Sequence, residues 1–424
     1  MLKKLIFCFG ILLTSFVGYS QENTASPYSY YGLGEIKFKG TQEARAMGGL
    51  AITGDSLSVN LNNPASYSNL LITTFSVGGT STFNNLKTTE QEEKARRTSL
   101  DYIAVGIPMG KLGASFGLMP YSVTGYQIQN TVFNENDPST TDDDETRYIE
   151  KEGSGSINRV FLGFSYKINK NFSFGLNLEY NFGKSGDEIR ESIEGVQLTT
   201  RERNEYTING VTTNFGLLYS GKLDEKRKFF SSLTFSPESK LNSKNYRNIA
   251  TVSYSLGGTE FVSDFNEYNL PDSKLVVPSK LALGFGIGQT NKWMIGTEVS
   301  FIGSKKMINR FGDNGSSSFE NGQKVSLGGY YIPKYDSFSS YFSRVVYRAG
   351  FRYEKTGLII NNESINDYGM NFGLGLPVGL SKIDLSFEFG KRGTTSNGLI
   401  QENYFNVGVG LSLGDKWFKK TLID

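Results

Sequence analysis

Arg344, Arg348 and Arg352 recur at every fourth residue, and Glu354 follows two positions later. In an extended chain this spacing puts all four side chains on one face. Guanidiniums in a row are planar, permanently charged donors that match carboxylate geometry. Glu179, Glu298, Asp384 and Glu388 fall on the same, inward face of their own alternating segments. Two chemistries fit. The arginines would guide a substrate carboxylate, or the charges would pair with one another and anchor a segment in a wet interior. Buried ions must be paired or hydrated, and both signs are present, so pairing is the simpler account.

Other motifs carry less. Asp142, Asp143, Asp144 and Glu145, with Asp137 nearby, offer oxygen ligands for calcium but lack the alternate-residue spacing and glycine of an EF-hand loop; a solvated acidic loop is the simpler reading. Gly183-Lys184-Ser185 imitates the end of a phosphate-binding loop, but Leu178 stands where that loop needs its first glycine. Gly373-Leu374-Gly375 is strand alternation. The chain contains no histidine, which removes the usual base of serine and cysteine nucleophiles and the commonest zinc ligand. Its one cysteine, Cys8, lies in the N-terminal apolar run. No enzyme, metal, cofactor or nucleic-acid partner is implied.

The elements that must position these charges follow from composition. Aromatic residues make up 13% of the chain and glycines number 49, yet mean hydropathy is −0.32. Apolar and polar residues must therefore interleave. Phe172, Phe174, Leu176, Leu178, Tyr180 and Phe182 alternate with Ser173, Gly175, Asn177, Glu179 and Asn181. The same period of two runs through 159–168, 383–389 and 405–413, as expected of strands with one face in lipid and one in a lumen. Fourteen strands are predicted, at 71–82, 99–108, 112–122, 156–168, 171–183, 206–220, 228–236, 275–288, 292–303, 323–333, 341–354, 367–377, 380–390 and 402–413. The segment 323–333 is included partly for the even count that single-chain barrels require. Connections alternate between short ones, such as Asn169 to Lys170, and long ones at 83–98, 123–155, 184–205, 237–274, 304–322, 355–366 and 391–401. That alternation marks an outer-membrane barrel with short periplasmic turns.

Residues 1–20 read as a secretory signal: Lys3 and Lys4 precede an apolar run from Leu5 to Val17, and small residues lead to a cleavage site before Gln21. Residues 21–70 read as an irregular segment that plugs the barrel, 71–413 as the barrel, and 414–424 as a short periplasmic tail. Ten glycines, among them Gly163, Gly175, Gly216, Gly284, Gly286 and Gly296, point inward in this register. Strand glycine often marks close approach of another backbone, so they leave room for the N-terminal segment. The fold class is thus all-β, a transmembrane antiparallel barrel of about 14 strands with an N-terminal plug.

The stretch ARAMGGLAITGDSLSVNLNNPASYSNL, ahead of this strand pattern, resembles the FadL/TodX family of outer-membrane transport proteins. The closing stretch LPVGLSKIDLSFEFGKRGTTSNGLIQENYFNVGVGLSLGDKWFKK resembles members found in Bacteroidetes. The resemblance implies an N-terminal hatch carrying an Asn-Pro-Ala element, here Asn63, Pro64 and Ala65. It implies passive uptake of hydrophobic molecules such as long-chain fatty acids or aromatic hydrocarbons. It also implies a kinked third strand through which ligand leaves sideways into outer-membrane lipid, and Pro120 falls where that kink would be; the plain alternative is that the strand ends there. From a different class comes a second expectation, a non-transporting barrel subunit of an outer-membrane assembly or secretion complex, with its long outer loops docking other proteins. A continuous apolar path through the lumen favours the first, and an apolar patch on the outer loops the second.

Overall fold

The computed structural model describes residues 24–37, 39–133, 146–255, 257–309 and 317–415. The signal segment and the acidic run at 142–145 therefore lie outside the described residues. Fourteen antiparallel strands close into one barrel. They are β1 (Thr73–Lys87), β2 (Glu92–Met109), β3 (Leu112–Phe133), β4 (Thr146–Lys167), β5 (Phe172–Ile193), β6 (Thr199–Lys222), β7 (Lys228–Ser236 with Ser239–Tyr254), β8 (Glu260–Val277 with Lys280–Gln289), β9 (Trp293–Ile302), β10 (Gly322–Tyr331), β11 (Val346–Ile360), β12 (Glu363–Val378), β13 (Ser381–Arg392) and β14 (Gln401–Asp415). β14 returns to β1 in register from Gln401↔Lys87 to Asp415↔Thr73, which closes the wall. A three-residue strand, Ser317–Phe319, adds to the far end of β11.

The alternation that predicts the strands also sorts their faces. In β4, Val160, Leu162, Phe164 and Tyr166 are 45–48% exposed, whereas Phe161 and Ser165 between them are 1% and 2% exposed. Outward apolar side chains at this period suit hydrocarbon contact, and the inward set packs the lumen.

At one end the turns are short, except the fourteen-residue connection 332–345 between β10 and β11. At the other, several segments expected to be long loops are strand. β1 and β2 run to Lys87 and from Glu92, β5 and β6 meet at 194–198, and β11 and β12 are joined only by Asn361 and Asn362. The cause is a change of surroundings. Beyond the apolar band both faces are polar, so apolar alternation is lost although the ladder continues. Charged pairs take its place, with Arg190 bonding Glu150 at 3.2 Å and Arg203 bonding Glu188 at 2.6 Å across neighbouring strands.

Proline shapes the largest departure. β7 is interrupted at Pro237 and β8 at Pro278, where the missing N–H breaks the ladder. Below the break β7 and β8 each have two partners in the wall; above it β7 still pairs with β6 through Val252↔Thr199 to Asn242↔Asn209. β8 there pairs with β7 alone, from Glu260↔Tyr254 to Val277↔Ser239.

Candidate functional site

Residues 24–37 and 39–70 lie within the barrel and fill much of its interior. A 3-10 turn, Pro64–Asn69, starts at Asn63, whose side-chain oxygen accepts from the Ala65 N–H at 3.0 Å. The Asn63 amide donates to the Leu217 carbonyl of β6 at 3.1 Å. Asn63 and Ala65 are fully buried. The Asn-Pro-Ala element thus rests on the wall at Gly175 and Gly216. A Cβ on Gly175 would come within 2.3 Å of the Pro64 backbone carbonyl carbon, so only glycine permits the approach. Two to three strands farther round the wall, on β8 and β9, the Ile52 side chain fills the space over Gly284, Gly286 and Gly296, within 2.5 Å of where each Cβ would stand. Tyr67 fills a third region among Val59, Leu61, Leu70, Tyr102 and Phe161, and donates its hydroxyl to the Asn177 side chain at 3.2 Å.

A lattice of ions joins the segment to the wall. Nearer the short-turn end, Lys382 Nζ contacts Glu43 at 2.6 Å and Asp55 at 2.9 Å. Arg348 spans Glu43 at 3.2 Å and Asp384 at 2.8 Å. Farther along, Asp367 receives Arg352 at 3.1 Å, Arg392 at 3.2 Å and Lys39 at 3.7 Å. Arg352 also donates to Glu388 and to the Tyr404 hydroxyl, both at 2.7 Å. Arg392 reaches Glu35 of the N-terminal segment at 3.2 Å. Between the two groups, Arg45 and Gln42, in a single helical turn α1 (Gln42–Arg45), meet Asp101 at 3.3 and 2.7 Å. Burial alone would raise the Glu35 and Glu43 carboxyl pKa values. The surrounding cations win. Arg392, Lys37 and Lys39 hold Glu35 down to about 2, and Lys382 and Arg348 hold Glu43 well below the carboxylate range.

The structure brings most of the charges singled out in the sequence into this lumen. Arg348, Arg352, Asp384 and Glu388 belong to the lattice. Glu298 accepts the Ala51 N–H at 3.2 Å, and Glu179 pairs with Arg159 at 3.0 Å on the wall itself. Arg344 is a correction: β11 begins only at Val346, and Arg344 sits in a 3-10 turn (Phe342–Arg344) with its guanidinium over the Tyr341 ring. Local turn formation ended the alternation that had placed it inward. Sequence reasoning missed Lys382, Asp367 and Arg392. Lys382 and Arg392 share the parity of Asp384, and Asp367 that of Gly373, so extending each inward register to the strand end would have found them. The acids and bases of residues 35–55 carried no such signal, because that segment has no period.

Where the N-terminal segment meets the long-hairpin end of β1, β2, β13 and β14, a small cavity of about 40 Å³, partly open to solvent, remains. Its lining is charged, including Glu35, Lys37, Lys39, Arg97, Arg392 and Glu402. Among the described residues, no group of three or more acidic, histidine or cysteine side chains could hold a metal ion.

Pro120 stands at a break in the wall. β2 and β3 pair from Met109↔Leu112 only to Ile103↔Leu118, so the remaining half of each is unregistered with the other. β3 shifts register against β4 between Pro120 and Ser122. The released edge of β3 takes the N-terminal segment instead: Glu35 and Ile36 pair with Val123 and Ser122, and the Lys37 N–H donates to the Tyr121 carbonyl at 3.0 Å.

The closed fourteen-strand antiparallel barrel is a fold shared with solved FadL/TodX-type structures. The toluene transporter TbuX of Ralstonia pickettii is 11% identical and superposes with a TM-score of 0.56 over 89% of this chain and 99% of that one. The toluene transporter TodX of Pseudomonas putida is 14% identical, with a TM-score of 0.55 over 92% and 100%. A Pseudomonas aeruginosa FadL homologue gives 0.53 at 11% identity, over 89% and 98%. No curated protein matches in sequence. By its sequence the chain belongs to the BamG family, whose model matches residues 1–424.

Proposed function

We propose that this protein is an outer-membrane barrel whose lumen stays shut and which serves as a subunit beside other membrane proteins. One observation carries the reading: the lumen is occupied by residues 24–37 and 39–70, held by ion pairs to β11, β12 and β13, and a small cavity left over is lined by charge. A hydrophobic solute crossing there would desolvate ions that are already paired, at several kcal/mol per ion. The short-turn end then faces the periplasm and the long hairpins face outward. Apolar surface lies at the short-turn end of the barrel as well as on its band: Phe338, in the 332–345 connection, is fully exposed and Phe342 is 75% exposed. Purifying the tagged protein from its own membranes in mild detergent tests this. Recovery in a defined complex with other outer-membrane proteins is expected, and vesicles holding the pure barrel should be no more permeable to toluene than empty ones. A monomer that conducts toluene would overturn it.

The break at Pro120 supports a second reading, a channel for hydrophobic small molecules such as aromatic hydrocarbons or long-chain fatty acids, which would leave sideways between β2 and β3. Under it, Pro120→Val lowers uptake of a labelled fatty acid while folding is kept; equal uptake removes it.

A further inference from the structure

The outward half of β8, Glu260 to Leu270, is an edge strand. It pairs with β7 on one side. On the other, β9 ends at Ile302 opposite Lys280, and no described strand is registered against the edge beyond. The segment is exposed on both faces. Phe261 and Phe265 are each 57% exposed, Val262 49% and Tyr268 47%. A long apolar edge is a hazard that proteins ordinarily blunt with lysine or proline, or cover. Here Pro271 comes only at the inner end, where the register slips between Leu270 and Ser273, and the edge above it carries Glu260, Asp264 and Glu267 with no lysine or arginine.

We infer that this edge is a docking strand: it accepts an extended segment of another protein, rich in lysine or arginine and in apolar residues, which adds to the sheet beside β8. Main-chain hydrogen bonds along the free edge supply affinity, and pockets between alternate side chains supply register. Glu260 is already paired with Arg201 of β6, which leaves Asp264 and Glu267 to choose the sign of the partner. They disfavour a second copy of this chain, whose edge is equally acidic, and they disfavour anionic lipid headgroups. The inference rests on the subunit reading and names its contact site.

The test places a photo-crosslinking benzoylphenylalanine at Phe265 in the full-length chain in its own cells, with Phe389 on the apolar band as control. Cross-linked peptides, sequenced by mass spectrometry, should map from Phe265 to one basic extended segment of a partner protein. Asp264→Lys with Glu267→Lys should cut the yield about tenfold, because like charges then face one another across the interface. Along a strand, N–H groups point alternately to either side. Of Phe265→Pro and Asn266→Pro, one therefore removes a donor from the free edge alone. With the probe moved to Tyr268, that variant should lose the cross-link while keeping heat-modifiable migration on gels. Cross-links to a second copy, to lipid or to an acidic segment, or yields unmoved by the double lysine variant, overturn the docking strand. If the protein purifies in a complex but Phe265 captures nothing, the strand is wrong and the subunit reading stands; a monomer in the membrane removes both.

Discussion

Lys382 holds three carboxylates in place, Glu43, Asp55 and Asp384. Lys382→Met keeps the length of the side chain and removes the charge, so the acids are left buried without their cation. Breaking a buried pair in this way costs about 3–5 kcal/mol, read as a lower temperature for loss of heat-modifiable migration. Arg344→Ala is the matched control: off the strand and out of the lattice, it should change stability by less than about 0.5 kcal/mol. Acid should act on the same contacts. The Glu35 carboxyl lies lower in the folded protein, about 2, than its ordinary 4.5. A depressed acid stabilises fully above its ordinary value and loses that contribution as pH falls toward the folded one. Between about pH 4.5 and 2 the N-terminal segment should therefore become accessible to an acid-active protease from the long-hairpin end. Arg392→Gln should narrow that window, and a wild-type segment resistant throughout would refute the pairing.

At the scale of elements, Gly175 tests the fit between segment and wall. Gly175→Ala sets a methyl against the Pro64 backbone, which cannot swing aside as a side chain would. Overpacking of this kind costs about 1–3 kcal/mol, and the yield of folded barrel should fall accordingly; unchanged yield and melting would show that the segment sits loosely. This position was legible in the sequence, because an inward glycine in a strand of period two announces a neighbour. So were the wall strands, wherever one face is apolar. Illegible were the strand extensions past the band, where both faces are polar, and the shape of residues 24–72. Its short 3-10 turns are set by the lumen they fill, not by any repeat of their own. Arg344 was misplaced for a related reason, since parity says nothing about where a strand begins.

For the whole molecule, direction in the membrane is open to a thiol test, because the sequence after Cys8 has no cysteine. Gln91→Cys, in the long hairpin between β1 and β2, should react on intact cells with an impermeant maleimide. Glu225→Cys, in the short turn between β6 and β7, should react only after the membrane is opened; the reverse pattern would invert the barrel. Deleting residues 27–66 should leave a barrel that passes small sugars and melts at lower temperature, since the wall glycines and the inward cations then face a void. Equal permeability would mean that the wall collapses inward without its filling.

The seam between β1 and β14 also sets an order of events. It joins the first strand of the wall to the last along fifteen residue pairs, so it can zip only after the entire chain has been delivered. By then residues 24–37 and 39–70, made before any strand, must already lie inside, because a finished wall in van der Waals contact with their backbone offers no route for threading them later. The N-terminus is in this sense the mandrel on which the sheet is wound, and a chain that closed without it would be trapped, not merely unfinished.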